Sequence, residues 1–259
     1  MDKSRILFLV PLPPPVHGSA MVSQAIRNST RINRSFQTDY VNLTTSRKMN
    51  EIGKHCVKKI FRFFGAFSKM MYKLLFHRWD ACYLAITCHG IGFLKDVPFV
   101  ALCKWFSPKV ILHLHNKGLS KEVYRWPYRW LMPWIFRHTE VILLSERLYS
   151  DVASVVRPEQ VHICPNGLSS PVDIKEVSHS SVPHLLFLSN LIESKGVYVL
   201  LDACQILKDK GYSFICDFVG GETKEITRRH LEEEISQRGL EEYVVYHGPQ
   251  YGEAKELFF

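Results

Sequence analysis

Two doubly wound α/β domains with parallel sheets, the second incomplete, are predicted by three observations. Short apolar or β-branched runs alternate with helix-like segments through the first 164 residues, the pattern of parallel strands covered by helices on both faces. CPNGLSSPVDIKEVSHSSVP, 164–183, interrupts that pattern with three prolines, five serines and an Asn-Gly turn, the chemistry of a linker. Strand–helix alternation then resumes and stops after three strands. The expected organisation is therefore a first domain at 1–164, a linker at 165–183 and a partial second domain at 184–259.

The elements follow in order. RILFLV (5–10), FQTDYVNL (36–43), DACYLAI (80–86), KVILHLH (109–115), EVILLS (140–145) and QVHIC (160–164) read as strands of the first sheet. HLLFLSN (184–190), YSFICDFVGG (212–221) and EYVVYHG (242–248) read as strands of the second, with helices over 197–210 and 222–238 between them. YGEAKELFF opens one more helix with no strand after it. An unfinished three-stranded sheet exposes an edge that folded proteins avoid, so a fragment of a longer protein is expected.

The chain has 259 residues, 46% hydrophobic and 22% charged, a composition that can bury a core. Charge is unevenly shared. Residues 1–176 hold 25 Lys and Arg against 12 Asp and Glu, net +13, whereas 177–259 hold 8 against 13, net −5, which implies two modules with different partners. There are seven cysteines and no CxxC; Cys82, Cys103, Cys164, Cys204 and Cys216 lie in apolar runs and read as reduced core residues of a cytosolic protein. No run approaches the roughly 18 apolar residues that span a bilayer. The start resembles a signal peptide, but four prolines among its first fifteen residues argue against that.

Four segments carry candidate chemistry. PLPPPVHGSA places His17, Gly18 and Ser19 between the first strand and its helix, where Gly18 permits close backbone approach and the helix N–H groups face a phosphate or sugar. A plain strand-to-helix turn is the alternative, and the GxGxxG dinucleotide fingerprint is absent. KVILHLHNKG puts His113 and His115 on one face of a strand. A metal pair would need further ligands, none of which is spaced nearby. His113 is expected in the core, and His115, Asn116 and Lys117 at the strand exit are the ligand candidates; Cys88 followed by His89 is too little for a metal site.

SNLIESKGV (189–197) joins a strand to an amphipathic helix and offers Lys195 and loop N–H groups to an anion; a helix with Gly196 in its first turn and a surface lysine is the plain alternative. Gly220 and Gly221, then Gly248 with Pro249, end the next two strands on the edge where a nucleotide would lie. The fourth segment, 54–79, has a helical apolar stripe (Val57, Ile60, Phe61, Phe64, Phe67, Met71, Leu74, Leu75) and a cationic face (Lys54, Lys58, Arg62, Lys69, Lys73). With the aromatic, basic stretch 125–138 it reads either as a sheet-covering helix with a solvated face or as a peripheral contact to anionic lipid. No recognition motif supports nucleic acid.

These residues, in this order, resemble the GT-B glycosyltransferases, and within them glycosyltransferase family 4. The resemblance runs along the whole chain through HGSA, HLHNKG, Pro165 to Gly167, the Lys-Gly loop, VGG and YHGP. It implies two Rossmann-like domains with a UDP- or GDP-sugar between them, used as a substrate with no separate cofactor. Lys195 matches the family's diphosphate-gripping lysine; Asn190 stands where an arginine is expected and Ser194 where a glutamate is. Gly221, Gly248 and Pro249 would border the nucleotide, Gly18 and Ser19 the donor diphosphate, and His17, His89 and Asn116 the acceptor. His115 is the catalytic candidate within the chain, since the family's glutamate pair would follow Phe259. The implied activity is transfer of a hexose to a saccharide or lipid-linked acceptor in bacterial cell-surface polysaccharide synthesis, lipopolysaccharide included, in the cytoplasm at the inner face of the membrane. A catalytically inactive remnant or binding module is the alternative.

Overall fold

The computed structural model describes residues 3–45, 57–167 and 182–259. The chain divides into two compact units, Met1–Ser169 and Ser170–Phe259, with the boundary inside the 165–183 segment. Of that segment, 168–181 lies outside the described residues, as does Lys54.

The first unit runs β1 (Arg5–Val10), α1 (Gly18–Asn28), α2 (Thr30–Ser35), β2 (Gln37–Asn42), α3 (Val57–Phe76), β3 (Ala81–Ile86), α4 (Gly90–Phe106), β4 (Val110–Leu114), α5 (Leu119–Glu122), α6 (Tyr128–Phe136), β5 (Glu140–Leu143), α7 (Tyr149–Val152) and β6 (Val161–Ile163). The sheet order is β2-β1-β3-β4-β5-β6, every pairing parallel. The apolar run near the N-terminus is thus a central strand. Its period of two splits the core: Leu7 and Leu9 join the large cluster under α3, α4 and α6, while Phe8 and Val10 pack with Tyr83, Ile26 and Ile32 under α1 and α2.

The second unit runs β7 (His184–Leu188), α8 (Val197–Asp209), β8 (Ile215–Val219), α9 (Arg228–Gln237), β9 (Val244–Gly248) and α10 (Glu253–Glu256), with a parallel sheet in the order β7-β8-β9. Phe187, Leu201, Cys204, Cys216, Phe218 and Leu231 form its core. On the sheet's other face Asp217 ties the three strands together, 3.1 Å from His184 Nδ1 and 2.7 Å from His247 Nε2.

Three expectations need correction. The helix expected over 222–238 begins only at Arg228. Thr227 caps it, accepting from the His230 N–H, and the Glu222 carboxylate accepts from the Arg228 N–H, so these polar side chains hold the preceding residues as a loop. Cys164 is exposed at the end of an edge strand, unlike the buried Cys82, Cys103, Cys204 and Cys216. In α3, the expected apolar stripe mostly faces outward. Phe63, Phe67, Met70 and Leu74 dock the helix, with Phe63 and Phe67 at 5.2 and 5.6 Å from the ring of Phe99, while Val57, Ile60, Phe61, Phe64 and Leu75 are exposed.

Candidate functional site

In a parallel sheet the loops that leave the strands' carboxyl ends converge on one edge. In the first unit they enclose a cavity of about 500 Å³. Pro11 and Pro15 enter it after β1, Leu43, Thr44 and Thr45 after β2, Thr87 after β3, and His115 and Asn116 after β4; the start of α1 supplies His17, Gly18 and Ser19.

The wall formed by α1 is built by its own capping. His17 precedes the helix in extended conformation, and its Nδ1 accepts from the Ala20 N–H at 3.4 Å, with Ser19 Oγ 3.2 Å away. Burial lowers the His17 pKa, which favours the neutral ring this cap needs. Gly18 is the first helical residue; a Cβ there would meet nothing within 4 Å, so the glycine answers no packing demand and leaves the cavity open.

His113 and His115 do share a face, their ring centroids 4.0 Å apart. His113 is buried, 3% exposed, bonds through Nδ1 to the Tyr83 hydroxyl, and has a pKa lowered to about 3 by burial and the neighbouring His115. Burial also lowers the His115 pKa, and both its ring nitrogens are buried without a hydrogen-bond partner. Such groups are uncommon in folded proteins, and here the ring borders the cavity while its nitrogens are turned away from solvent.

The loop after β4 is clamped from two sides. Asn116 Oδ1 accepts from the Cys88 N–H at 3.1 Å, and the Cys88 thiol donates to the Asn116 carbonyl at 2.9 Å. Burial, with the carboxylate of Asp151 adding to it, pushes that thiol up to about 12, so it stays protonated. Asp151 itself accepts from the N–H groups of Gly118, Leu119 and Ser120 at 2.8, 3.0 and 3.2 Å and from the Ser120 hydroxyl at 2.7 Å. Burial alone would raise its pKa, but these four bonds lower it. Gly118 has φ +132°, and a Cβ there would sit 3.0 Å from the His89 ring. His89 itself is exposed at the start of α4, beside this loop and outside the cavity lining.

Asp96 and Lys95 complete the cavity, and sequence reasoning missed both. Asp96 is 3% exposed; it accepts from the Thr87 N–H at 2.9 Å and lies 3.3 Å from Lys95 Nζ. Burial pushes its carboxyl up against the opposing pull of Lys95 and the Thr87 N–H. A lone Lys-Asp pair inside the apolar helix GIGFLKDVPFV was the signal available.

In the second unit the three strand ends also meet. Asn190 Oδ1 accepts from the Gly221 N–H at 3.2 Å, and the Gly221 carbonyl accepts from Leu191 at 2.9 Å. Gly221 therefore braces the loop with its own polar groups, and the oxygen of Asn190 is committed to it. Gly220 allows this approach: a Cβ there would lie 1.7 Å from the Ser189 carbonyl oxygen. Its N–H donates to the carbonyl of Gly248, which has φ +73°, and the exposed Pro249 follows. Lys195 ends a short 3-10 turn and is exposed; Gly196, at φ +86°, leads into α8. Among the described residues no cluster of three or more His, Cys, Asp or Glu is placed to hold a metal ion.

Two Rossmann-like units, each with its polar groups at the carboxyl ends of parallel strands, are matched together in solved structures. The Anabaena protein HepE, in complex with UDP and glucose, superposes with a TM-score of 0.60 over 96% of this chain and 70% of its own, at 16% identity. The fold is GT-B. WaaG, a glycosyltransferase involved in lipopolysaccharide biosynthesis, gives 0.58 over 95% and 70% at 13% identity. An E. coli trehalose-6-phosphate protein bound with UDP-2-fluoro glucose gives 0.62 over 97% and 75% at 12% identity. At such identities the GT-B likeness is one of fold. No protein-family model matches the chain, and no curated protein matches it in sequence.

Proposed function

We propose that this chain belongs to a retaining family 4 glycosyltransferase that moves a hexose from a UDP- or GDP-sugar to a saccharide or lipid-linked acceptor in bacterial cell-surface polysaccharide synthesis. The observation that carries the reading is the first-unit cavity, where a neutral His115 with two unsatisfied nitrogens stands beside the α1 N-terminus and Ser19. With the His115 ring turned to bring one nitrogen to the cavity surface, an acceptor hydroxyl donating to it would be oriented for attack on the sugar's anomeric carbon. The new bond joins that carbon to the acceptor oxygen, the bond to the diphosphate breaks, and the hydroxyl proton leaves with the nucleoside diphosphate or solvent. In the second unit Lys195 and the N–H groups opening α8 stabilise charge developing on that leaving group. The Lys195 ammonium, a mobile point charge, suits a diphosphate without the paired geometry of an arginine.

The test is a thermal-shift titration of the chain with UDP-glucose, GDP-mannose and ATP, followed by an assay for nucleoside diphosphate release with added saccharides. A ligand that binds only the folded state must raise the melting temperature. A selective rise with one sugar nucleotide supports the reading, and release of its diphosphate establishes transfer. Binding without release points to a binding module, and no rise with either sugar nucleotide overturns the proposal.

A further inference from the structure

The cavity beside His115 has a neighbour. A second cavity, of about 510 Å³, is lined by Arg62, Gly65 and Lys69 of α3 and by Pro14, Asn42 and Thr44 at the exits of β1 and β2. Thr44 lines both cavities, and the proline loop after β1 gives Pro11 and Pro15 to the first and Pro14 to the second. The two exits are tied to each other: the Leu12 N–H donates to Asn42 Oδ1 and to Thr44 Oγ1, both at 3.0 Å, and the Thr44 hydroxyl donates to the Leu12 carbonyl at 2.9 Å.

What the second cavity offers a ligand is donors. Asn42 commits its Oδ1 to the N–H groups of Leu12 and Thr44, so the group it has left is its amide nitrogen. The Thr44 hydroxyl is engaged by Leu12 as both donor and acceptor. Arg62 is positioned by its bond to the Thr45 carbonyl at 2.7 Å, and Lys69, two turns along the same face of the helix, is exposed. No acidic residue is among the described residues of the lining, and Asp39, further back on β2, pairs with Lys73. Gly65 stands between the two cations in the sequence of α3. Glycine is a poor helix former, and a Cβ there would meet nothing within 4 Å, so packing does not demand it; its missing side chain leaves room in the cavity. The first cavity differs in charge, because its one lysine, Lys95, already has the Asp96 carboxylate 3.3 Å away.

We propose that the second cavity is a subsite for an oxyanion, phosphate or carboxylate, carried by the acceptor saccharide, so that the chain selects an acidic sugar. The anion takes charged hydrogen bonds from Lys69 and Arg62 and one from the Asn42 amide, while the sugar ring reaches past Thr44 and presents a hydroxyl in the cavity of His115. The inference rests on reading that first cavity as the acceptor site, and it adds the class of acceptor.

Calorimetric titration of the 259-residue chain with glucose 6-phosphate, glucuronate, glucose and inorganic phosphate, with no sugar nucleotide present, tests it. At least one of the two acidic sugars should bind about tenfold more tightly than glucose and than inorganic phosphate. Lys69→Gln should weaken that binding about tenfold, and Gly65→Glu, which sets a carboxylate four residues before Lys69, should abolish it, both melting near the parent temperature. Lys58→Gln, exposed on the same helix and lining neither cavity, should bind as the parent does. Equal affinity for glucose and the acidic sugars, no binding of either acidic sugar, or unchanged binding by the Lys69 and Gly65 variants overturns the assignment. Inorganic phosphate binding as tightly as the sugar phosphate also overturns it, because the cavity then holds a bare ion, and so does an equal loss in Lys58→Gln, because the attraction is then one of general charge. The donor is absent from this titration, so a chain that binds an acidic sugar and no sugar nucleotide sinks the glycosyltransferase reading and leaves the anion subsite, and the opposite result does the reverse.

Discussion

The rings of His113 and His115 lie 4.0 Å apart at the carboxyl end of β4, one bonded to Tyr83 and the other unpartnered on the cavity wall. Two imidazoles so close and so buried cannot both charge cheaply, and the pair stays neutral near pH 7.

That neutrality gives a pH dependence. His113 has a folded pKa near 3, below the unfolded 6.5, so its contribution is full above pH 6.5 and is lost as pH falls from there toward 3. Urea unfolding at pH 7 and pH 5 should show a loss of about 2 kcal/mol from this one group. His113→Gln should flatten the slope by about that amount, and equal slopes would count against the burial argument.

Asp151 holds the loop that follows His115. Asp151→Ala removes the acceptor of three N–H groups, that of Leu119 buried, and of the Ser120 hydroxyl, and should cost about 3 kcal/mol in urea unfolding. Asp151→Asn, which keeps one acceptor oxygen, should cost less.

The two glycine positions should behave oppositely. Gly220→Ala collides with the Ser189 carbonyl and should destabilise the second unit by more than about 3 kcal/mol, seen as faster proteolysis after residue 182. A Cβ at Gly18 meets nothing within 4 Å, so Gly18→Ala should change stability by less than about 0.5 kcal/mol, yet its methyl borders the cavity and should weaken ligand binding there.

Lys195 is exposed and makes no contact on which the fold depends. Lys195→Ala should leave the melting temperature of the free chain unchanged and weaken sugar-nucleotide affinity about tenfold, measured by the titration shift. Unchanged affinity would remove Lys195 from the diphosphate site.

Much of the fold was legible because strands and helices announce themselves by period. Each of the nine described strands falls inside a run that alternation or β-branching marks in the sequence. The start of α9 was not legible: its charged residues continue smoothly from 222 to 238, and only the capping bonds of Thr227 and Glu222 place the boundary.

By itself the sequence determined two parallel-sheet units, the charge divided between them, and a set of polar groups at strand ends: His17, His115 and Asn116 in one, Asn190 and Lys195 in the other. Tertiary structure decided which face of α3 is covered, that Asp96 and Lys95 close the cavity, that Asp151 clamps the β4 loop, and that Asn190 braces Gly221. The physical reason is the range of the interactions. Periodicity is a local property and shows that a helix has an apolar arc, but what covers that arc depends on residues such as Phe99, more than thirty positions away and brought near by the winding of the sheet.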